Sequence, residues 1–295
     1  MESQRVETVR AEQFSRPCTS HGEGPLWDPA GDRLLVVDMI RGDIVALDTA
    51  AQDTRTHVAD VAACLRPRQA GGFVLATERG FQPLDDQLSP AGPEHPAFTD
   101  TGSTPTRMND GGCDPQGRFY CGSMAYDETA GAGSLYRLDP DGSIATVLTD
   151  VTISNGLQWS ADGSLAYYND TPTRQVTVFD FDADHGTFVN PRRFVGIDGP
   201  GAPDGMAIDS DDGIWVALWG GSAVHRYAPD GELTTVVELP VTNVSCCTFG
   251  GPDLGTLYIT TSRQGVPDDE QPSAGAVFAV PDIGVRGAIP YSFAG

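Results

Sequence analysis

Lysine is absent from this 295-residue chain, and all 18 basic residues are arginines. A Schiff-base mechanism and the phosphate-binding loop of nucleotide hydrolases both require the primary amine of a lysine. The sequence therefore excludes both kinds of site. Histidine is scarce too, and the five histidines never fall at the helical spacing of a zinc hydrolase motif.

Positive charge is also in short supply. The chain carries 41 acidic residues against 18 basic residues, and its formal net charge is −23. Nucleic-acid phosphates and anionic membrane surfaces repel such a chain, so we expect neither as a partner. Most of the acidic residues are expected to lie on a solvated surface. A local group of them can still attract a divalent cation.

Cysteines and long apolar segments are limited as well. Six cysteines are too few for a disulfide scaffold in a chain of this length, and no Cys-x-x-Cys pair indicates a zinc ribbon. No apolar run approaches the roughly 18 residues of a membrane span, and the N-terminal stretch has no hydrophobic signal region. These features predict a soluble, cytoplasmic protein. Nothing in the sequence indicates an oligomeric state.

The chain does contain a repeated phrase. In each copy a polar residue precedes a short half-apolar run, a tight turn and a second apolar run. The copies begin at Glu23, Asn109, Asn155 and Asp204. Long amphipathic patterns with helical spacing are missing, and the recurring short runs rich in Val, Ile, Leu, Phe and Tyr are typical of β-strands.

The spacing of the phrases predicts a β-propeller. Third and fourth apolar runs follow the first two, joined by hairpin signals such as Asp230-Gly231. Four strands in a unit of roughly 40 to 50 residues are the pattern of a propeller blade. A further unit around residues 71–77 and another from Ser245 bring the number of blades to six. We therefore expect an all-β fold, a six-bladed β-propeller with four antiparallel strands per blade, as a single domain over residues 1–295.

A ring of blades must also be sealed, because an unpaired strand edge invites association. The segment from Arg5 to Glu12 precedes the first phrase and is free to pair with the end of the chain. We expect this segment to form the outermost strand of the last blade.

The polar residues that open the four phrases are the candidate site. In a propeller the first strand of each blade lines the central channel, so Glu23, Asn109, Asn155 and Asp204 are expected to converge at one mouth of it. Their carboxylate and carboxamide oxygens suit Ca²⁺, Mg²⁺ or Mn²⁺. Taken singly, each residue also suits the capping of a turn. The equal phase of all four favours a shared site.

Five separated motifs carry a family resemblance. They read HGEGPLWD, RMNDGGCDPQGRFYCGSM, ISNGLQWS, PDGMAIDSDDGIWVA and SCCTFGG. Together they resemble the gluconolactonase/regucalcin (senescence-marker-protein) family of six-bladed propellers, over nearly the whole chain. The resemblance implies one divalent metal ion held by Glu23, Asn155 and Asp204, with Asp204 also the proton acceptor. Calcium is the first expectation, and Zn²⁺, Mn²⁺, Mg²⁺ and Fe²⁺ are alternatives.

The same resemblance implies a substrate and the residues that bind it. Arg107, Asn109 and the adjacent Asp110 match positions that contact a sugar lactone, and a lid acid matches the stretch containing Asp127 and Glu128. The implied reaction is hydrolysis of a sugar-acid lactone, such as gluconolactone or xylonolactone, to the free aldonic acid. A metal-dependent esterase or organophosphate hydrolase and a non-catalytic calcium-binding regulatory protein remain alternatives, because a fold does not determine its chemistry.

Two further features have a structural interpretation and a functional one. His21 stands two residues before Glu23, where it either packs beside the first strand or modulates the metal. The tryptophans lie on predicted strands and are expected to be core residues rather than a platform for a ligand. They are Trp27, Trp159, Trp215 and Trp219.

Overall fold

The computed structural model describes residues 6–99, 104–267 and 269–295. Within these ranges the chain forms 25 β-strands in six sheets, and its helical elements are two short 3₁₀ turns, Met39–Arg41 and Thr171–Thr173. No helix of the described ranges has the length and apolar character needed to cross a membrane. The sheets form a six-bladed β-propeller with four antiparallel strands per blade, so the predicted fold is confirmed.

Two short strands precede the first blade, and the first three blades follow in chain order. The N-terminal strands are β1 (Glu7–Arg10) and β2 (Glu12–Gln13). The first blade contains β3 (Gly22–Asp28), β4 (Arg33–Asp38), β5 (Asp43–Asp48) and β6 (Asp53–His57). The second contains β7 (Cys64–Pro67), β8 (Phe73–Ala76), β9 (Gly80–Leu84) and β10 (His95–Pro96). The third contains β11 (Thr106–Cys113), β12 (Phe119–Ala125), β13 (Gly133–Leu138) and β14 (Ile144–Val151).

The last three blades follow the same plan. The fourth contains β15 (Ser154–Trp159), β16 (Leu165–Asp170), β17 (Gln175–Asp182) and β18 (Thr187–Gly196). The fifth contains β19 (Ala202–Ile208), β20 (Ile214–Trp219), β21 (Ala223–Tyr227) and β22 (Leu233–Glu238). The sixth contains β23 (Val244–Gly250), β24 (Thr256–Thr261) and β25 (Phe278–Val280). In every blade the first strand is innermost.

The N-terminal segment seals the ring across two blades. β2 pairs antiparallel with β25 and is the outermost strand of the sixth blade. β1 instead pairs in parallel with β22, at the edge of the fifth blade. The expectation that the segment from Arg5 to Glu12 belongs to the last blade is therefore wrong for residues 7–10, and Arg5 lies outside the described residues. Val9 and Ala11 pack against the apolar cluster that joins these two blades. The segment therefore buries apolar side chains where it passes from the fifth blade to the sixth.

Buried aromatic contacts hold neighbouring blades together. Three tryptophans each pack against an aromatic ring of the adjacent blade, with ring centroids 5.3 to 5.9 Å apart. The pairs are Trp27 with Tyr258, Trp159 with Tyr120 and Trp215 with Phe249. These three tryptophans are core residues, as predicted. Trp219 is only half-buried, and its prediction as a core residue is wrong.

Candidate functional site

A β-bulge interrupts the innermost strand of five blades near its start. A bulge leaves residues out of the hydrogen-bonded ladder and redirects their side chains. Four of the bulges contain or adjoin the polar residues that open the sequence phrases. They lie at Glu23–Leu26, Met108–Gly111, Asn155–Leu157 and Pro203–Met206. The bulges therefore direct polar side chains out of the ladder at the same mouth of the channel.

Glycine allows the fourth and fifth blades to meet closely at this mouth. A Cβ atom on Gly156 would lie 2.8 Å from the Asp204 carbonyl oxygen and 2.5 Å from Met206 Cγ. No larger residue fits without moving one of these strands. Gly156 directly follows Asn155, so the close approach sets the Asn155 and Asp204 backbones beside one another.

A pocket of about 100 Å³ opens at this mouth. The residues that line it come from the starts of first strands, the ends of second strands and the loops between them. They are His21, Glu23, Arg107, Asn109, Met124, Glu128, Ile153, Asn155, Thr171, Asp204, Trp219 and Gln264. The set contains all three predicted metal ligands and three of the five predicted substrate-binding residues. Asp110 and Asp127 are not part of this lining.

A chain of hydrogen bonds crosses the pocket wall from the third blade to the fourth. Arg107 donates to Asn109 Oδ1 at 2.6 Å, and Asn109 Nδ2 donates to Asn155 Oδ1 at 3.0 Å. Asn155 Nδ2 in turn donates to Thr171 Oγ1 at 2.7 Å. These contacts fix which way the Asn155 carboxamide faces. The sequence did not predict Thr171 as the acceptor for Asn155. Thr171 lies in the turn that follows β16, and only the folded loop brings it to the pocket.

Three carboxylates lie buried at or near the pocket. Burial and the neighbouring Asp110 raise the pKa of Glu23 to about 8, and burial together with Glu23 raises the pKa of Asp204 well above its ordinary value. Burial likewise raises the pKa of Asp110. None of the three forms a salt bridge within the described ranges. Ionised carboxylates placed this way are costly without a compensating positive charge.

The donor set suits a hard divalent cation. Glu23 and Asp204 supply carboxylate oxygens, and Asn155 supplies a carboxamide oxygen, which is the chemistry that Ca²⁺, Mg²⁺ and Mn²⁺ prefer. In the part of the chain that the structure describes, no group of three or more His, Cys, Asp or Glu side chains is arranged to hold a metal. With Glu23 and Asp204, the Asn155 carboxamide would complete a set of three oxygen ligands from residues that line this pocket.

Asp110 is fully buried outside the pocket lining. Its Oδ1 accepts a hydrogen bond of 2.7 Å from the Gly111 amide, and the positive charge of Arg66 opposes the effect of burial on its pKa. Arg66 donates to the carbonyl oxygens of Leu65 and Gly111. Asp110 thus lies within electrostatic reach of Arg66, whereas its neighbour Asn109 lines the pocket.

The predicted lid stretch is divided between the pocket and the surface. Glu128 lines the pocket, but Asp127 is exposed, and its Oδ1 accepts hydrogen bonds from the Thr129 amide and hydroxyl at 3.1 and 2.7 Å. Asp127 therefore caps a surface turn. Beside them, the centroid of the Tyr126 ring lies 5.8 Å from the guanidinium carbon of Arg107. The Tyr126 hydroxyl donates a hydrogen bond of 2.8 Å to Glu78.

One wall of the pocket combines His21, which was predicted either to pack beside the first strand or to modulate the metal, with Trp219, which was predicted to be a core residue. His21 Nδ1 lies 2.8 Å from Ser262 Oγ, and the His21 ring meets Trp219 edge-on with centroids 5.6 Å apart. Burial and the Arg107 charge lower the pKa of His21 to about 4, so its imidazole is neutral at pH 7. A signal was available for Trp219, because it ends the second strand of its blade, where that strand returns to the mouth at which the first begins.

Comparisons with known proteins show the family to which the chain belongs. The model of the SMP-30/Gluconolactonase/LRE-like region matches residues 21–263. Regucalcin from Macaca fascicularis is 36% identical over 286 residues, which cover 93% of this chain and 95% of that protein. Regucalcin from Oryctolagus cuniculus is 37% identical over 289 residues, covering 93% and 95%.

Solved structures agree with these matches. The crystal structure of a calcium-binding protein, regucalcin, from Agrobacterium tumefaciens superposes with a TM-score of 0.87 at 26% identity, covering 98% of both chains. The similarity extends over the propeller as a whole, including every blade that contributes to the pocket. The chain described here belongs to the SMP-30/gluconolactonase/LRE-like family.

Proposed function

We propose that this protein hydrolyses the lactone of a sugar acid to the free aldonic acid and that it depends on one divalent metal ion. The observation that carries the proposal is the convergence of Glu23, Asn155 and Asp204 with Arg107 and Asn109 on one pocket. Oxygen ligands for a hard cation and hydrogen-bonding groups for a polyhydroxylated ring thus face the same small volume.

Glu23, Asn155 and Asp204 would hold the metal. Calcium is the first candidate because the donors are oxygens and because the Agrobacterium relative is described as a calcium-binding protein. When bound, a divalent cation polarises the ester carbonyl and makes water more acidic. Which of Ca²⁺, Mn²⁺, Mg²⁺, Zn²⁺ or Fe²⁺ occupies the protein is decided by elemental analysis of freshly purified material.

Asp204 is the proposed proton acceptor. Its carboxylate takes a proton from the attacking water as the water oxygen bonds to the carbonyl carbon. The bond between that carbon and the ring oxygen then breaks, and Asp204 returns the proton to the ring oxygen.

Arg107, Asn109 and Glu128 would orient the substrate. Arg107 Nη1 donates to Asn109 Oδ1, to the Met108 carbonyl oxygen and to Met39 Sδ. The other N–H groups of the guanidinium suit hydroxyl or carbonyl oxygens of a sugar ring. Glu128 lies at the rim of the pocket, where its carboxylate can accept hydrogen bonds from hydroxyl groups. These contacts would hold the ester against the metal ligands.

A substrate panel tests the proposal. Acid release is followed in a pH-stat with gluconolactone, xylonolactone, an aryl ester and a phosphotriester, each with and without EDTA. Release from aldonolactones alone, abolished by EDTA and restored by Ca²⁺ or Mn²⁺, supports the lactonase. Preferred hydrolysis of the aryl ester or phosphotriester would support the alternative hydrolase. Tight calcium binding without turnover of any substrate would support a calcium-binding regulatory protein.

A cytoplasmic location is proposed as well. All six cysteines are free and buried in the structure, which fits a reducing compartment.

A further inference from the structure

The wall formed by His21 and Trp219 has an unusual composition for the mouth of an acidic channel. Trp219 is half-buried and lines the pocket, whereas the other three tryptophans are 7% exposed or less. Its ring is therefore available to contact a molecule in the pocket. A large apolar ring left accessible beside buried carboxylates stabilises little by itself, and it suits contact with the C–H face of a ligand.

His21 presents a polar atom beside that ring. Its Nδ1 is engaged by Ser262 Oγ at 2.8 Å, and the edge-on contact with Trp219 holds the plane of the imidazole. Nε2 has no hydrogen-bond partner within the described ranges, and His21 lines the pocket together with Glu23 and Asp204. The second ring nitrogen is thus the atom of His21 left for a ligand.

We infer that His21 and Trp219 form a subsite that selects a hydroxylated ring. The Trp219 ring packs against the C–H face of the ring, and His21 Nε2 forms a hydrogen bond with one ring hydroxyl. This inference rests on the proposed function and adds to it two residues that distinguish polyhydroxy lactones from alkyl lactones, aryl esters and phosphotriesters. His21 and Trp219 are specificity-determining contacts here, and neither takes part in bond breaking.

The selection follows from the physical chemistry of the wall. A polar atom that hydrogen-bonds a substrate hydroxyl loses that bond with an analogue lacking the hydroxyl, so the analogue binds less well. One neutral hydrogen bond of this kind corresponds to about a tenfold difference in affinity. Loss of the indole weakens binding of any ring, hydroxylated or not, because the apolar contact does not distinguish them.

A binding experiment without turnover tests the subsite. Intrinsic tryptophan fluorescence of the calcium-loaded protein is titrated with 1,5-anhydroglucitol, which has ring hydroxyls but no ester, and with tetrahydropyran, which has neither. We expect saturable binding of 1,5-anhydroglucitol and at least tenfold weaker binding of tetrahydropyran. The signal should disappear in Trp219→Phe, and calorimetry then measures the affinity that this variant retains through its phenyl ring.

Variants of His21 separate a ligand contact from a packing role. His21→Leu should lose about tenfold in affinity for 1,5-anhydroglucitol, and His21→Gln should keep most of it. The matched control is His225→Leu, since His225 stands on β21 outside the pocket lining and its Nδ1 contacts Tyr227. Melting temperature and calcium affinity, measured for each variant, identify any that is misfolded or has lost its metal.

Each result bears on the inference separately from the proposed function. If His21→Leu folds, binds calcium and keeps wild-type affinity for 1,5-anhydroglucitol, the inference is overturned even where lactones are hydrolysed. Absence of any 1,5-anhydroglucitol binding by the wild-type protein also overturns it. If the selective binding is found but no lactone is hydrolysed with any metal, the subsite stands and the proposed lactonase activity fails.

Discussion

The Asn109 carboxamide donates a hydrogen bond of 3.0 Å to the Asn155 carboxamide oxygen, across the boundary between the third and fourth blades. A predicted substrate-binding residue therefore orients a predicted metal ligand. Asn109 is held in turn by Arg107, which donates to its oxygen at 2.6 Å. Substrate binding and metal binding are thus connected through one carboxamide, and this connection has measurable consequences.

Asn109→Ala should weaken calcium binding although Asn109 is not a proposed ligand. Without the Asn109 donor, the Asn155 carboxamide keeps its hydrogen bond to Thr171, but its oxygen is no longer held from the third blade. Losses of about 10- to 100-fold in metal affinity are typical when the group that orients a ligand is removed. Isothermal titration with Ca²⁺ measures the effect, and the exposed Gln52→Ala serves as a control. Unchanged affinity in Asn109→Ala would show that the hydrogen bond from Asn109 is not needed to orient Asn155.

Arg107→Ala should raise KM more than it lowers kcat. The guanidinium is proposed to bind ring hydroxyls in the ground state and the transition state alike, so its loss removes uniform binding. We expect an increase in KM of about tenfold, as for a hydrogen bond from a charged donor. Steady-state kinetics on gluconolactone measure both constants, with the surface variant Arg192→Ala as a control. A fall in kcat at unchanged KM would instead assign Arg107 to the transition state.

Stability of the metal-free protein should fall as pH rises. The pKa of Glu23 is raised from 4.5 to about 8 in the folded state, so between these values the folded protein binds more protons than the unfolded chain. By linkage, the contribution of Glu23 to the free energy of unfolding is fully present below pH 4.5 and is lost as the pH rises to about 8. Melting temperatures in EDTA should therefore decline over this range.

Two controls test the cause of that decline. Excess Ca²⁺ should reduce it, because the cation compensates the ionised carboxylates. Glu23→Gln should also reduce the slope in EDTA, although not to zero, since the pKa values of Asp110 and Asp204 are raised too. A slope that is the same in Glu23→Gln and in the wild-type protein would contradict the assignment to Glu23.

Gly156→Ala should lower stability and weaken calcium binding by displacing the backbone at Asp204. The added methyl group would lie 2.8 Å from the Asp204 carbonyl oxygen, so the fourth and fifth blades must separate. A loss of about 1–3 kcal/mol in the free energy of unfolding is expected for such overpacking. Urea denaturation measures it, and calcium titration should show weakened binding. Gly92→Ala is the matched control, because its nearest neighbour would be 3.8 Å from the new atom.

The amino-acid sequence determined the architecture because the fold repeats. Alternating apolar runs and tight turns recur with a fixed order, and each copy can only bury its strands against the next copy. The same repetition placed Glu23, Asn109, Asn155 and Asp204 at one phase, and the structure brings all four into one pocket. Their proposed roles come from the family resemblance and from oxygen chemistry, and these roles stay predictions.

A glycine pattern in the sequence marks the bulges. A glycine follows each of the four polar residues within two positions, as at Gly156 and Gly205, and an isolated glycine in a strand is typical of a bulge or of close backbone approach. The β-bulges at these positions agree with that pattern.

Tertiary structure alone decided which of several adjacent residues face the pocket. Asn109 and Asp110 are neighbours at the same bulge, yet only Asn109 lines the pocket. Asp127 caps a surface turn, whereas the adjacent Glu128 lines the pocket. The N-terminal segment divides between two blades, and Trp219 reaches the channel mouth from the end of a second strand. Side-chain direction at a bulge and the pairing of a terminal strand depend on contacts between distant blades, and no local pattern of the sequence encodes those contacts.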